Sequence, residues 1–189
     1  MNHLALATVA LVLPAVAASA VTLDFEQFEP GQPPRGFSIA VTGPGSPAAW
    51  VIQEESAAPS GRKVLVQTSA DKTSSRFPLC IYEALSARDV TVSVRFKPVA
   101  GTVDQAAGIV WRYQDQNNYY LVRANALEDN VVLYKVEKGK RSDLKPVGAW
   151  PFAYGKKVKV PAEQWSTLKL VARGNHFEVF LNGGHLFDV

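Results

Sequence analysis

Cysteine, histidine and charge near the N-terminus are scarce in this chain, and each scarcity removes a class of explanation. The 189 residues hold one cysteine, Cys80, so no intramolecular disulfide framework can form. Flanked by Leu79 and Ile81, Cys80 reads as a small buried hydrophobe. Of three histidines, His3 lies in the N-terminal segment. The remaining pair, His176 and His185, makes no usual structural zinc site with a single cysteine, and no Ser-His-Asp arrangement is suggested. The first twenty residues carry no Lys, Arg, Asp or Glu. Leu4 to Val16 form an apolar core, and Ala18-Ser19-Ala20 fits the small-x-small rule for signal peptidase. Residues 1–20 are therefore expected to be a signal peptide cleaved after Ala20, which exports the chain to the periplasm or beyond. Pro14 and the short apolar run argue against an uncleaved anchor, since a span needs roughly 20 apolar residues. No later run is that long, so no membrane span is expected after cleavage. One domain is expected over residues 21–189, long enough for its own core.

Several catalytic signatures are missing as well. The motif Gly43-Pro44-Gly45-Ser46-Pro47 is a loop rather than a nucleophile elbow, because proline does not suit a strand-turn-helix context. Gly155-Lys156-Lys157 lacks the rest of a phosphate loop. Glu54 and Glu55 are adjacent, so on a strand they point to opposite faces, and Glu128-Asp129 lie in a turn. No carboxylate pair of the glycosidase kind emerges. No cofactor motif is present. Calcium stays open: Asp115, Asn117 and Asn118, and also Glu128, Asp129 and Asn130, look like calcium loops. Neither cluster alone supplies six to eight oxygens, and Asp and Asn are ordinary turn formers. The net charge is +3. Its two basic clusters, residues 135–145 and 156–159, read as solvated strand edges, and nucleic acid is not an expected partner.

What the chain does have is strand-like alternation. Val90, Val92, Val94 and Phe96 fall on one side and Thr91, Ser93, Arg95 and Lys97 on the other, the period of a half-buried strand. Further strands are predicted over residues 21–28, 37–41, 50–53, 64–68, 77–81, 165–173, 177–181 and 186–189. Asn182-Gly183 is a strong hairpin signal. No amphipathic helix of useful length is apparent. Many short strands with regular turns predict an all-β antiparallel sandwich.

Residues 108–136, GIVWRYQDQNNYYLVRANALEDNVVLYKV, predict a three-stranded meander with turns at 114–118 and 127–130. Placing Tyr113 opposite Tyr119, and Ala126 opposite Val131, puts Trp111, Tyr113, Tyr119, Arg123, Asn125 and Tyr134 on one face. Val110, Tyr120, Val122, Ala124, Val131 and Leu133 take the other, with Arg112 and Lys135 near its ends. The first face suits a sugar: rings stack on a pyranose, and Arg123 and Asn125 offer fixed hydrogen-bonding groups. Two alternatives stay open: the aromatics are core residues, and Arg123 pairs with a nearby carboxylate.

The run WRYQDQNNYYLVRANALEDNVVLYKVEKGKR, with WSTLKLV at 165–171 and FEVFLNG at 177–183, resembles the concanavalin A-like and laminin G-like jelly rolls. In particular it is similar to the bacterial 3-keto-disaccharide hydrolase-like, or family-16-glycosidase-like, group. Asp24-Phe25-Glu26 fits the same pattern. The resemblance implies two curved antiparallel sheets with a carbohydrate-handling concave face. The Glu-x-Asp-x-x-Glu strand motif of the glycosidases is absent. Such domains continue past the Asn-Gly hairpin into two further segments, so a sequence ending at Val189 is expected either to be a truncation that lacks last strands or to leave an open sheet edge beside residues 21–28. The expected function is binding of a carbohydrate or glycoconjugate. A glycoside hydrolase or lyase, and a laminin G-like protein-interaction module, are the rivals.

Overall fold

A computed structural model describes residues 20–145, 148 and 154–189. The expected signal peptide, apart from Ala20, falls outside the described residues. Thirteen strands follow in order among the described residues: β1 (Phe37–Thr42), β2 (Trp50–Glu54), β3 (Lys63–Gln67), β4 (Phe77–Tyr82), β5 (Val90–Phe96), β6 (Ala106–Asp115), β7 (Asn118–Asn125), β8 (Asn130–Glu137), β9 (Lys140–Asp143), β10 (Lys156–Lys157), β11 (Ser166–Arg173), β12 (His176–Leu181) and β13 (Gly184–Asp188). All pair antiparallel.

Two larger sheets face each other. One runs β13-β12-β11-β5; the other runs β10-β8-β7-β6, with β9 also paired to β8. The alternation that predicts β5 has this physical outcome: Val90, Val92, Val94 and Phe96 turn inward. There they join Leu168, Leu170 and Ala172 of β11 and Phe177, Val179 and Leu181 of β12. The facing sheet contributes Ile109, Trp111, Val122, Ala124, Val131 and Leu133. Each fully buried large apolar side chain contributes about 1.5–3 kcal/mol. Asn182 and Gly183 close the β12–β13 hairpin with φ of 49° and 82°. A type I′ turn requires positive φ at both positions, which Asn-Gly tolerates.

The fold expectation of an antiparallel sandwich is met, and three local expectations are corrected. Residues 21–28 form no strand: Phe28 N–H donates back to the Phe25 carbonyl at 3.1 Å in a turn. Side chains hold this segment. A Glu26 carboxylate oxygen accepts from the Arg62 and Lys63 amides at 2.6 and 2.7 Å, and Phe25, Phe28 and Phe37 pack ring to ring.

The meander pairs in a different register from the expected one, shifted by one residue between β6 and β7 and by two between β7 and β8. Trp111 faces Tyr120, Arg123 faces Gly108 and Val132, and Asn125 faces Ala106 and Asn130. A single-residue shift exchanges sheet faces, so Trp111 belongs to the core between the sheets and not to the face of Arg123. There it stacks on Tyr120 at 5.6 Å and meets Phe177 edge-on at 5.2 Å. An irregularity between Trp111 and Asp115 brings Tyr113 back to the other face. At its centre Arg112 has φ of 49°, and its guanidinium lies 5.3 Å from the Phe177 ring, on the same side as Trp111. Two successive residues on one side are the mark of a β-bulge.

The third correction concerns what covers the Arg123 face. Leu79 of β4 packs on Tyr119, Leu121, Val132, Tyr134 and Val136, joined by Ala40 and Ile81. The β1–β4 ribbon therefore roofs part of the face expected to be an open groove.

Candidate functional site

The roof covers one half of the outer face of the β6–β7–β8 sheet; in the other, polar half Arg123, Asn125, Asn130 and Val132 are also buried, and the β6 edge and the loop carboxylates reach solvent. In the covered half, the Tyr119 hydroxyl lies 2.8 Å from Thr42 Oγ1, which donates to the Gln116 carbonyl at 2.5 Å. Burial pushes the Tyr119 phenol above its ordinary pKa. Tyr113 packs on Tyr119 with ring centres 6.0 Å apart. These two tyrosines build a second apolar core with a satisfied polar tip.

This polar half lies at the other end of β7. Across from Arg123 and Asn125, β6 presents Gly108 and Ala106, both exposed. A side chain at Gly108 is excluded by packing: an added Cβ would come 2.4 Å from the Val122 carbonyl oxygen. The edge strand thus forms a low shelf beside a polar centre.

That centre is built on Arg123, whose side chain is 9% exposed. Nη1 donates to Asp104 Oδ1 at 3.3 Å; Nη2 donates to the Glu128 carboxylate and to Asn130 Oδ1, the latter at 3.3 Å. Arg123 Nε is buried without a hydrogen-bond partner. Asn125, fully buried, completes the frame. Its Nδ2 donates to Asp104 Oδ1 at 2.6 Å, and its Oδ1 accepts from Leu127 N at 3.0 Å and Gln105 N at 3.3 Å. The open alternative for Arg123, a carboxylate partner, is therefore realised twice over.

The carboxylates themselves face water. Asp104 and Glu128 are 43% and 41% exposed. Burial acts to raise the Glu128 pKa, but the Arg123 charge and hydrogen bonds from Asn130, Arg123 and Asn125 outweigh it and hold the group below the usual carboxylate range. The Arg123 guanidinium and the Lys157 ammonium, whose Nζ donates to the Glu128 carbonyl at 3.0 Å, together balance the two carboxylates. Fixed, half-exposed carboxylates are strong acceptors for hydroxyl donors.

Tyr134 borders this centre. Its hydroxyl hydrogen-bonds to that of Tyr154, and its phenol is raised in pKa by burial and then by that bond. The Arg141 guanidinium lies between the Tyr134 ring, at 4.5 Å, and the Phe77 ring, at 4.2 Å. This cation-π contact staples β9 to the roof.

Of the six residues singled out from sequence, the polar end gathers Arg123 and Asn125 with Tyr134 at its border, all three buried. Tyr113 and Tyr119 lie under the roof, and Trp111 is on the opposite side of the sheet. Two residues were missed. Asp104 lies nineteen positions before Arg123, in a loop without local signature. Glu128 was legible in principle: mid-strand Arg and Asn need partners, and Glu128 follows Arg123 by five positions across one turn.

The calcium candidates use their oxygens internally. Asp115 Oδ1 accepts from Asn117 N at 2.6 Å and Asn118 Nδ2 at 3.0 Å. Asp129 accepts from Lys159 Nζ at 2.9 Å and Val160 N at 3.1 Å. Among the described residues, no group of three or more His, Cys, Asp or Glu is placed to hold a metal ion.

The fold has a counterpart in known proteins. The sequence profile of the 3-keto-alpha-glucoside-1,2-lyase-like domain matches residues 42–189. The chain belongs to this family. The match includes β6, β7 and β8, together with Asp104, Arg123 and Glu128. The carbohydrate binding module CBM66 from Bacillus subtilis is similar in structure, with a TM-score of 0.52 and 17% identity over 82% of this chain and 78% of that one. At that identity the likeness establishes the jelly-roll fold. No curated protein matches the sequence.

Proposed function

We propose that this domain binds a neutral carbohydrate at the exposed carboxylate rim beside the polar end of the β6–β7–β8 sheet. Asp104 and Glu128 accept from sugar hydroxyls, and Arg123 and Asn125 hold both carboxylates in place. The observation that carries the reading is the contrast in exposure: Arg123 is 9% exposed, its two carboxylate partners 43% and 41%. A salt bridge serving stability alone has no need of two half-open acceptors beside a shelf of Ala106 and Gly108. The shared fold with a carbohydrate binding module supports the reading, and so does the glucoside in the name of the family. Residues 1–20 act as the export signal in this proposal, which puts Val21 at the mature N-terminus.

A glycan array followed by calorimetry tests it. Wild type binds at least one neutral glycan, whereas Asp104→Asn and Glu128→Gln each lose about tenfold, near the 1.5–3 kcal/mol of a charged hydrogen bond. Unchanged circular dichroism shows that the fold is kept. Absence of binding to every glycan overturns the reading.

A second reading rests on the family match itself. Elimination across C1–C2 of a 3-keto-alpha-glucoside passes the C2 proton to a base, breaks the C1–O bond and releases the C1 substituent as an alcohol that takes up a proton, and Asp104 and Glu128 are half-exposed carboxylates at the site that could exchange those protons. Incubation with such a substrate and ultraviolet detection of the resulting enone decides between binding and turnover.

A further inference from the structure

The loops that carry the two carboxylates also carry exposed apolar side chains. Among the described residues, seven large hydrophobic side chains are exposed: Val21, Ile39, Leu85, Val99, Val103, Leu127 and Tyr154. Isolated cases are ordinary on protein surfaces. Here four of the seven belong to one region. Val99 and Val103, 62% and 48% exposed, lie in the β5–β6 loop that holds Asp104; Leu127, 49% exposed, directly precedes Glu128. Tyr154, 38% exposed, is bonded to Tyr134 at the border.

These loops are fixed in place. Gln105 Nε2 donates to the Gly101 carbonyl at 3.1 Å, and Gly101 adopts φ of +135°, where an added Cβ would come 2.3 Å from the Asp104 carbonyl oxygen. The Ala126 amide donates to the Gln105 carbonyl at 2.9 Å, and Asn125 Oδ1 clamps the amides of Gln105 and Leu127. The valines and Leu127 are therefore held outward by pinned backbone.

We propose that Val103, Leu127 and Tyr154 form an apolar collar for the aglycone of a glycoside whose sugar is held by Asp104 and Glu128. The inference rests on the sugar-binding reading above and adds the ligand class: glycosides carrying an apolar group, in preference to plain oligosaccharides. A second sugar would bring hydroxyls against valine and leucine, which offer no hydrogen bond. A flat apolar group would cover them and leave the carboxylates to the sugar.

Matched methyl and phenyl glycosides of glucose, galactose, mannose, xylose and fructose test this with the full chain by calorimetry. For any sugar that binds, the phenyl member binds about tenfold tighter, the gain expected when some 60 Å² of apolar surface is buried. In Val103→Ser/Leu127→Ser the phenyl-to-methyl ratio falls to near one, while Leu85→Ser, outside these loops, retains it. Both substitutions replace side chains about half exposed, so folding is preserved. Methyl and phenyl members binding equally to wild type overturns the collar and leaves the sugar site standing. A preference that persists in the double variant also overturns it. Failure of all ten glycosides to bind also overturns the collar, while the sugar site itself stands or falls with the glycan array.

Discussion

Replacing Arg123 by Met separates the frame of the site from its contact groups. Methionine keeps the length and apolar stem, but it leaves Asp104, Glu128 and Asn130 without their shared donor. Removing one partner of a fully buried ion pair costs about 3–5 kcal/mol. Here the two carboxylates left behind are 43% and 41% exposed and regain water. The expected loss is therefore about 2–3 kcal/mol, equivalent to roughly 4–10 °C in Tm for a domain of this size. Glu128→Gln retains an acceptor for Nη2 and costs about 1 kcal/mol. Because Arg123 and Glu128 touch, the double variant should be less destabilised than the sum by about 1 kcal/mol. Urea unfolding followed by tryptophan fluorescence, at low and at high salt, measures all three. The m-value should stay constant, since the denatured state is unchanged. A loss under about 0.5 kcal/mol for Arg123→Met, or a vanishing coupling at low salt, refutes the claim that this arginine anchors the centre.

Three further outcomes follow from other contacts. Gly108→Ala should cost about 1–3 kcal/mol in urea unfolding, because the new methyl must displace the Val122 carbonyl 2.4 Å away; wild-type stability would show that β6 yields freely at its edge. Glu128 is held below its ordinary pKa of 4.5 when folded, so its contribution is full above about pH 4.5 and fades as pH falls through the lower folded value. The stability difference between wild type and Glu128→Gln should therefore shrink on acidification over that window, and a constant difference would contradict the pairing. Because Asp115, Glu128 and Asp129 already accept internal donors, calcium addition or chelation should leave Tm unchanged; a rise of several degrees with calcium would show that these loops open to the ion.

The parts of this molecule that could be read from sequence are those whose determinants are local. β5 carries its alternation in seven consecutive residues, and the β12–β13 hairpin carries its turn in Asn182-Gly183. The meander carries its composition locally but not its register. That register depends on the left-handed Arg112, an unmarked position, and on Asn125 pairing with Asn130 rather than being passed over by the turn. One residue of slip moved Trp111 into the core and left Arg123 and Asn125 facing Gly108 and Ala106. The roof over Tyr119 comes from β1 and β4, more than thirty residues upstream, where neither strand advertises its target.

The site itself follows a related logic. Arg123 and Asn125 drew attention as polar groups on an apolar strand, and burial explains why they are there: each secures carboxylates or loop amides that come from other segments. A side chain committed to that many internal partners has little left to offer a ligand, apart from the unpaired Arg123 Nε. Chemistry directed at solvent passes instead to Asp104 and Glu128, the ends of the network that remain half open. Conspicuous residues within a strand thus mark where a site is anchored, and the residues that meet the ligand lie on the loops they anchor. For this chain that division predicts opposite signatures for two substitutions: Arg123→Met acts first on folding, and Glu128→Gln acts first on binding.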